Sequence, residues 1–363
     1  MAPLPRGYTE KLSDIWSRAG CDSSVGPRGY GGDMTNSASA LHAGTRAHRR
    51  RPARAVAAVA STTAPRIDTV YTPPFDLDFR RVVGIHRRGQ TDPTMRWEGN
   101  VLWRSVRTPL GAGTIALRQE GGTIRASAWG EGAAWLIDQL PALCGAHDDP
   151  SGFDPSLHPL ITESARRNPG MRLGRSDLLA DALMSSILEQ KVTALQAFHA
   201  WRDLIYWHGE RAPGPRRLWV APALERWRRI PSWDWHRAGV EPPQSRAAVT
   251  AAASDLGERL ATAATGVERE RLLTTVRGIG VWTAAEVRIR AYGDPDAVSF
   301  GDFHLAHEVG FALTGERVDD DGMRALLEPW AGHRQRVIRL IFASGVVEPR
   351  RAPRLQPEDH RAR

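Results

Sequence analysis

Cysteine is scarce: 363 residues contain only Cys21 and Cys144, far apart and in unrelated contexts. That excludes a disulfide framework and any four-cysteine zinc or iron–sulfur site. No apolar run approaches the length needed to cross a bilayer, and no secretory signal is recognisable, so a soluble cytoplasmic protein is expected. Lysine is scarce too, and arginine supplies most of the 49 basic residues, which outnumber 41 acidic ones for a net charge of +8. The balance favours a polyanionic partner, although a solvated basic surface would give the same composition. Acidic residues are missing altogether from Thr35 to Arg66.

That last gap helps to divide the chain. Residues 1–66 hold Gly-Tyr-Gly-Gly, a Ser/Ala/Thr stretch and the basic run His48-Arg49-Arg50-Arg51-Pro52, with few large apolar residues to bury. A disordered basic leader is expected, either inert or an arm adding non-specific DNA affinity. Met34 offers an alternative translation start, with which the segment before it would not be made. Residues 67–150 read as a small α+β domain. Thr69–Tyr71 and Arg81–Ile85 look like strands, and Met95–Val106 carries alternating apolar residues. Thr114–Arg118 and Thr123–Ser127 flank Glu120-Gly121-Gly122 as a hairpin, and a helix runs from Glu131 to about Leu143. Residues 151–347 read as all-α, with Ser176-Asp177 capping one helix, a Trp- and Pro-rich stretch over 211–243 and an Ala-rich helix over 244–263. The aromatics of that stretch either fill core space or line a cleft. Residues 348–363 form a basic tail.

The helical part centres on Leu272–Leu305. An apolar run ends at Val276, Arg277-Gly278-Ile279-Gly280 makes a tight turn, and Val281–Ala291 resumes a helical period before Tyr292-Gly293-Asp294-Pro295 stops it. Glycines at 278 and 280 allow a sharp bend and leave backbone amides uncovered at a helix start, a cradle that suits an anion such as a DNA phosphate. A lone Asp302 then precedes an aromatic residue and an apolar helix.

The pattern L-x-x-V-x-G-I-G-x-W-T-A, with that aspartate about twenty residues later, resembles the helix-hairpin-helix DNA glycosylases. Within that superfamily it is most similar to the bacterial 3-methyladenine DNA glycosylase II group. The resemblance implies an α+β protein: a small N-terminal antiparallel sheet domain plus an all-α helix-hairpin-helix domain. It also implies a base-excision enzyme that flips an alkylated purine out of double-stranded DNA and hydrolyses its N-glycosidic bond. Asp302 would stabilise positive charge building on the sugar; its alternative role is a helix N-cap. Gly278, Gly280 and Thr283 would offer amides to a phosphate. Gln190 and Lys191, after the apolar run ending in Leu188, match the minor-groove insertion turn, with Lys191 departing from the hydrophobic wedge common there. An ordinary interhelical turn is the alternative.

Trp282 occupies the place where bifunctional relatives carry a catalytic lysine, so a monofunctional enzyme without lyase activity is implied. Aromatic faces attract positively charged alkylpurines, and the resemblance puts the base pocket at Trp282, Glu286, Trp330 and His333. Either Trp330 or His333 would stack, depending on alignment, and Glu286 stands where a second aromatic is usual. No cofactor is required, though backbone carbonyls of Thr274 and Val276 would suit a monovalent cation, Na+ or K+. A monomer is expected. The competing class is a non-catalytic helix-hairpin-helix DNA-binding protein in which Asp302 is only a cap.

Overall fold

The computed structural model describes residues 66–349, so all of the leader but Arg66, and nearly all of the tail, lie outside the described residues. The described part opens with strand β1 (Arg66–Tyr71) and helix α1 (Phe79–Gly84). Next comes the meander β2 (Met95–Glu98), β3 (Val101–Thr108), β4 (Gly111–Glu120) and β5 (Thr123–Trp129). These strands form one antiparallel sheet in the order β1-β5-β4-β3-β2. The β4–β5 hairpin turns at Gly121, whose φ of +57° suits glycine. Helix α2 (Ala133–Leu143) covers one face, and Phe79, Leu102, Ile115, Leu117, Ile124 and Leu140 fill the space between.

Residues 81–85 are not a strand. Asp78 accepts a hydrogen bond from the Arg81 amide and caps α1, which buries Phe79, Val82 and Val83 on one side. The Val-Val-x-Ile run satisfies a helical stripe here as well as a strand.

Most of the chain beyond α2 is helical: α3 (Pro159–Arg167), α4 (Leu179–Leu188), α5 (Ala194–His208), α6 (Leu224–Trp227), α7 (Ser232–Arg237), α8 (Pro242–Ala253), α9 (Leu256–Ala261), α10 (Gly266–Thr274), α11 (Val281–Val287), α12 (Leu305–Thr314), α13 (Asp320–Leu327) and α14 (Arg334–Ser344). The exception is a two-stranded ribbon, β6 (Glu210–Arg211) with β7 (Trp219–Val220). It closes over the sheet, where Leu218 and Val220 pack with Trp103 and Trp129. The tryptophans resolve mostly into core: Trp201, Trp227 and Trp235 stack at centroid spacings of 6.3 and 5.7 Å. Trp233 is exposed. Ser176 and Asp177 do not cap α4, which begins at Leu179; Asp177 instead adopts φ +54° and the Ser176 hydroxyl bonds the Arg290 carbonyl. Among the described residues no helix is long and apolar enough to cross a membrane.

Between the sheet module and the helices lies His86. Burial, then the guanidinium groups of Arg104 and Arg88, hold its pKa well below the ordinary histidine value. The folded chain therefore keeps His86 neutral where the unfolded chain, titrating near 6.5, takes a proton. Stability should fall as pH drops below about 6.5, with His86 contributing at most about 1.4 kcal/mol per pH unit. Urea midpoints at pH 7 and pH 5 for the wild type and His86→Gln check this; the variant should show the shallower loss.

Candidate active site and nucleic-acid interface

Helix α10 begins with a reciprocal cap: the Thr265 hydroxyl accepts from the Glu268 amide at 3.1 Å, and Glu268 accepts from the Thr265 amide at 3.0 Å. It ends in the turn Val276–Gly280, closed by the Ile279 amide donating to the Val276 carbonyl at 3.0 Å. Ile279 plugs into the helical core while Gly278 takes φ +92°. A Cβ on Gly278 would lie 2.6 Å from the Ala247 Cβ of α8. The Ala-rich helix, featureless by sequence, is thus the seat on which the hairpin rests: Ala247, Ala248 and Ala251 are buried there. Gly280 differs, because a Cβ there would meet nothing within 4 Å. The outer side of the turn is open where α11 begins, and the first amides of a helix have no carbonyl partner within it.

The turn after α4 packs against this hairpin. The Gln190 side-chain amide donates to the Gly278 carbonyl at 2.8 Å and to the Thr283 hydroxyl at 2.9 Å. From the other side, Gln244 of α8 donates to the carbonyls of Leu188 and Gln190, at 3.0 and 2.8 Å. Gln244 was not singled out by sequence; its only signal is a buried amide in an alanine stripe. Gln190 is therefore committed to holding the turn on the hairpin. Lys191 projects instead, exposed and with φ +51°. That left-handed backbone is unusual for a residue with a Cβ and marks a turn held in shape by its surroundings.

Helix α11 runs on through one wider turn, Arg288–Tyr292, to Gly293 at φ +61°. The chain then returns and presents Asp302, 8% exposed. Its Oδ1 accepts from the His304 and Leu305 amides at 2.9 and 3.1 Å, so it caps the entry to α12. Its Oδ2 accepts from the Trp282 indole N–H at 3.0 Å. The cap and the link to Trp282 use different oxygens, so one role does not exclude the other. Beside Asp302, Phe303 is 52% exposed, its ring edge-on to His304 at 5.0 Å.

This arrangement matches solved structures at the level of fold. A 3-methyladenine DNA glycosylase from Archaeoglobus fulgidus superposes with a TM-score of 0.63 at 15% identity, over 76% of this chain and 98% of that one. An 8-oxoguanine glycosylase/lyase from Clostridium acetobutylicum gives 0.61 at 10% identity, over 76% and 96%. MBOgg1 in complex with a low-affinity DNA ligand gives 0.58 at 14% identity, over 77% and 95%. The fold is that of the helix-hairpin-helix DNA glycosylases. No protein-family model matches the sequence, and no curated protein matches it either.

Within that helix-hairpin-helix glycosylase fold, the four expected pocket residues do not converge. Trp282 meets Asp302 as described. Glu286 is not directed at an incoming base: it is buried, paired with Arg290, and accepts from the Ser299 hydroxyl. A carboxylate at that position finds buried cationic and hydroxyl partners, which an aromatic would not need. Trp330 is core, packed with Leu305, Val309 and Val337, and its indole donates to the Asp154 carbonyl at 2.7 Å. His333 precedes α14, with Nε2 3.0 Å from the Ser151 carbonyl and its ring tilted against Phe153. Both are thus anchored to the 151–154 segment. Asp294 and Asp296 are structural: Asp294 pairs with Arg288 at 2.9 Å, and Asp296 accepts from the Gly332 amide at 2.8 Å.

Proposed function

We propose that the chain is a monofunctional base-excision DNA glycosylase acting on alkylated purines. The observation that carries this reading is a nearly buried carboxylate, Asp302, held by an indole at the foot of an open glycine hairpin. Breaking an N-glycosidic bond builds positive charge on the sugar, and a fixed carboxylate in a dry site stabilises it. N3- and N7-methylated purines are themselves cationic and leave readily, so the protein need only extrude them, hold them and stabilise the sugar. Trp282 and the exposed Phe303 are aromatic faces beside the carboxylate and suit a cationic base. The amides at Gly278, Gly280 and Thr283 would bind a phosphate of double-stranded DNA. Lys191 would enter the space left by the flipped nucleotide, with Gln190 fixing the turn behind it. The chain would act as a monomer.

The carbonyls of Thr274 and Val276 lie at and just past the C-terminus of α10, where the helix dipole is negative. The Val276 carbonyl already accepts one amide and keeps a second lone pair. A bound Na+ or K+ would fit there and stiffen the hairpin, and no step of the chemistry passes through it.

The sequence contains two lysines, Lys11 and Lys191, and neither lies in the hairpin. That supports hydrolysis without a Schiff base or strand cleavage. One observation favours the rival reading of a non-catalytic DNA-binding module: the two amide bonds to Oδ1 would keep Asp302 in place as a cap alone. Release of free base from duplexes containing N3-methyladenine, N7-methylguanine or 8-oxoguanine tests both. The proposal expects release of the methylated purines; binding without release of any base would favour the rival.

Lys191 gives a second test. Lys191→Gly removes the left-handed cost, and should stabilise the fold by about 1 kcal/mol. The same change should slow base release about tenfold by removing the inserting side chain. Thermal melting and single-turnover release, read together, separate the two effects.

A further inference from the structure

A line of buried charge runs beneath the two halves of the site. Arg88, Glu189, Glu286, Arg290 and Ser299 are each no more than 4% exposed. Arg88 lies just after α1 in the sheet module; its Nη2 donates to Ser185 of α4 at 2.6 Å, and its Nε faces Glu189 at 3.8 Å. Arg290 donates to the other oxygen of Glu189 at 3.3 Å and to Glu286. The remaining oxygen of Glu286 accepts from the Ser299 hydroxyl.

The two ends of this line are informative. Glu189 immediately precedes Gln190 and Lys191. Ser299 is three residues before Asp302, and its carbonyl accepts the Asp302 amide at 3.2 Å. Burying two carboxylates and two guanidinium groups is a poor route to stability, because well-packed apolar residues of similar volume do as well or better. Their arrangement does something apolar residues cannot: the hydrogen bonds from Arg290 to Glu189 and Glu286, and from Ser299 to Glu286, fix direction along the line, while Arg88 adds charge 3.8 Å from Glu189.

We propose that Arg88, Glu189, Arg290 and Glu286 are a positioning device that sets the insertion turn and the Asp302 segment as one unit. Engagement of the turn with the duplex and placement of the carboxylate at the sugar are thereby coupled. The proposal rests on the glycosylase reading. Glu286 is the pivotal positioning residue, since its carboxylate bonds Arg290 on the side of the turn and Ser299 on the side of Asp302.

The test uses the full chain, Glu286→Gln, and the paired apolar variant Glu286→Met with Arg290→Met. Insertion of the turn is read from the fluorescence of 2-aminopurine placed beside an abasic-site analogue in a duplex. Carboxylate placement is read from single-turnover release of a methylated purine. Glu286→Gln should reduce both signals together, release by about tenfold, with undamaged-duplex affinity within about twofold of wild type. The paired apolar variant should regain the melting temperature but neither signal.

Loss of release with an unchanged fluorescence signal would mean that Glu286 only supports Ser299, and coupling would be wrong. Recovery of both signals in the apolar pair would show that the charges are mere filling. If the wild type releases no base, the glycosylase reading fails separately; the fluorescence comparison still decides whether Glu286 governs the turn, and no change there overturns the proposal.

Discussion

Asp302→Asn should slow base release by about two to four orders of magnitude while the protein still folds and binds duplex. Asparagine keeps the shape and can present its amide oxygen to the His304 and Leu305 amides, so the cap survives. What disappears is the negative charge proposed to stabilise the sugar. The amide nitrogen would then face the Trp282 indole N–H, a donor meeting a donor where the carboxylate now accepts at 3.0 Å. That mismatch should cost about 1–3 kcal/mol of stability. The loss is measurable by thermal melting, and it is too small to account for the fall in rate if the variant remains folded at the assay temperature. A variant that melts lower but releases base at the wild-type rate would make Asp302 a cap alone.

The second large effect separates two glycines of the same turn. Gly278→Ala places a Cβ 2.6 Å from the Ala247 Cβ, in a backbone conformation of φ +92° that alanine disfavours. Strain and overpacking together should lower stability by about 2–4 kcal/mol and distort the amides proposed to face a phosphate. Gly280→Ala meets no protein atom within 4 Å, and its φ of −96° is ordinary for alanine. The fold should change by less than about 0.5 kcal/mol. Duplex affinity should nevertheless fall about tenfold, because the new methyl group stands where a phosphate would approach. Denaturation midpoints and salt-dependent duplex binding distinguish the two glycines. Equal affinity for Gly280→Ala and wild type would remove the phosphate from this turn.

The contrast explains which parts of the site were legible in the sequence. The hairpin was, because its turn needs glycine at 278, where φ is +92°, and a helical period stops visibly at Gly293; Gly280, with an ordinary φ, is not needed for the bend. The β4–β5 hairpin was, because Glu120-Gly121-Gly122 separates two strand-like segments. The α1 segment was not, because a short Val/Ile run suits a strand as well as a helix, and the Asp78 cap decides between them only once formed. Glu286 and Trp330 were misplaced for different reasons. Trp330 meets Asp154, far away in sequence, whereas Glu286 pairs with Arg290 one helical turn on, a spacing that was there to be read, and with Ser299 beyond it. The Ala-rich α8 looked featureless because its function as a seat is the absence of side chain. Gln190 shows the same limit: its type fitted the insertion turn, but its donors are spent on Gly278 and Thr283, and Lys191 is left to project.

The most direct measurement of the central claim is a product count. Wild-type protein is mixed in excess with a duplex carrying a single N3-methyladenine, and free base, abasic sites and strand breaks are counted from the same reaction. A monofunctional glycosylase predicts one free base and one abasic site per duplex, with the strand intact. Duplex that is bound but keeps its base would contradict the enzyme; base release accompanied by strand cleavage would contradict the absence of lyase chemistry.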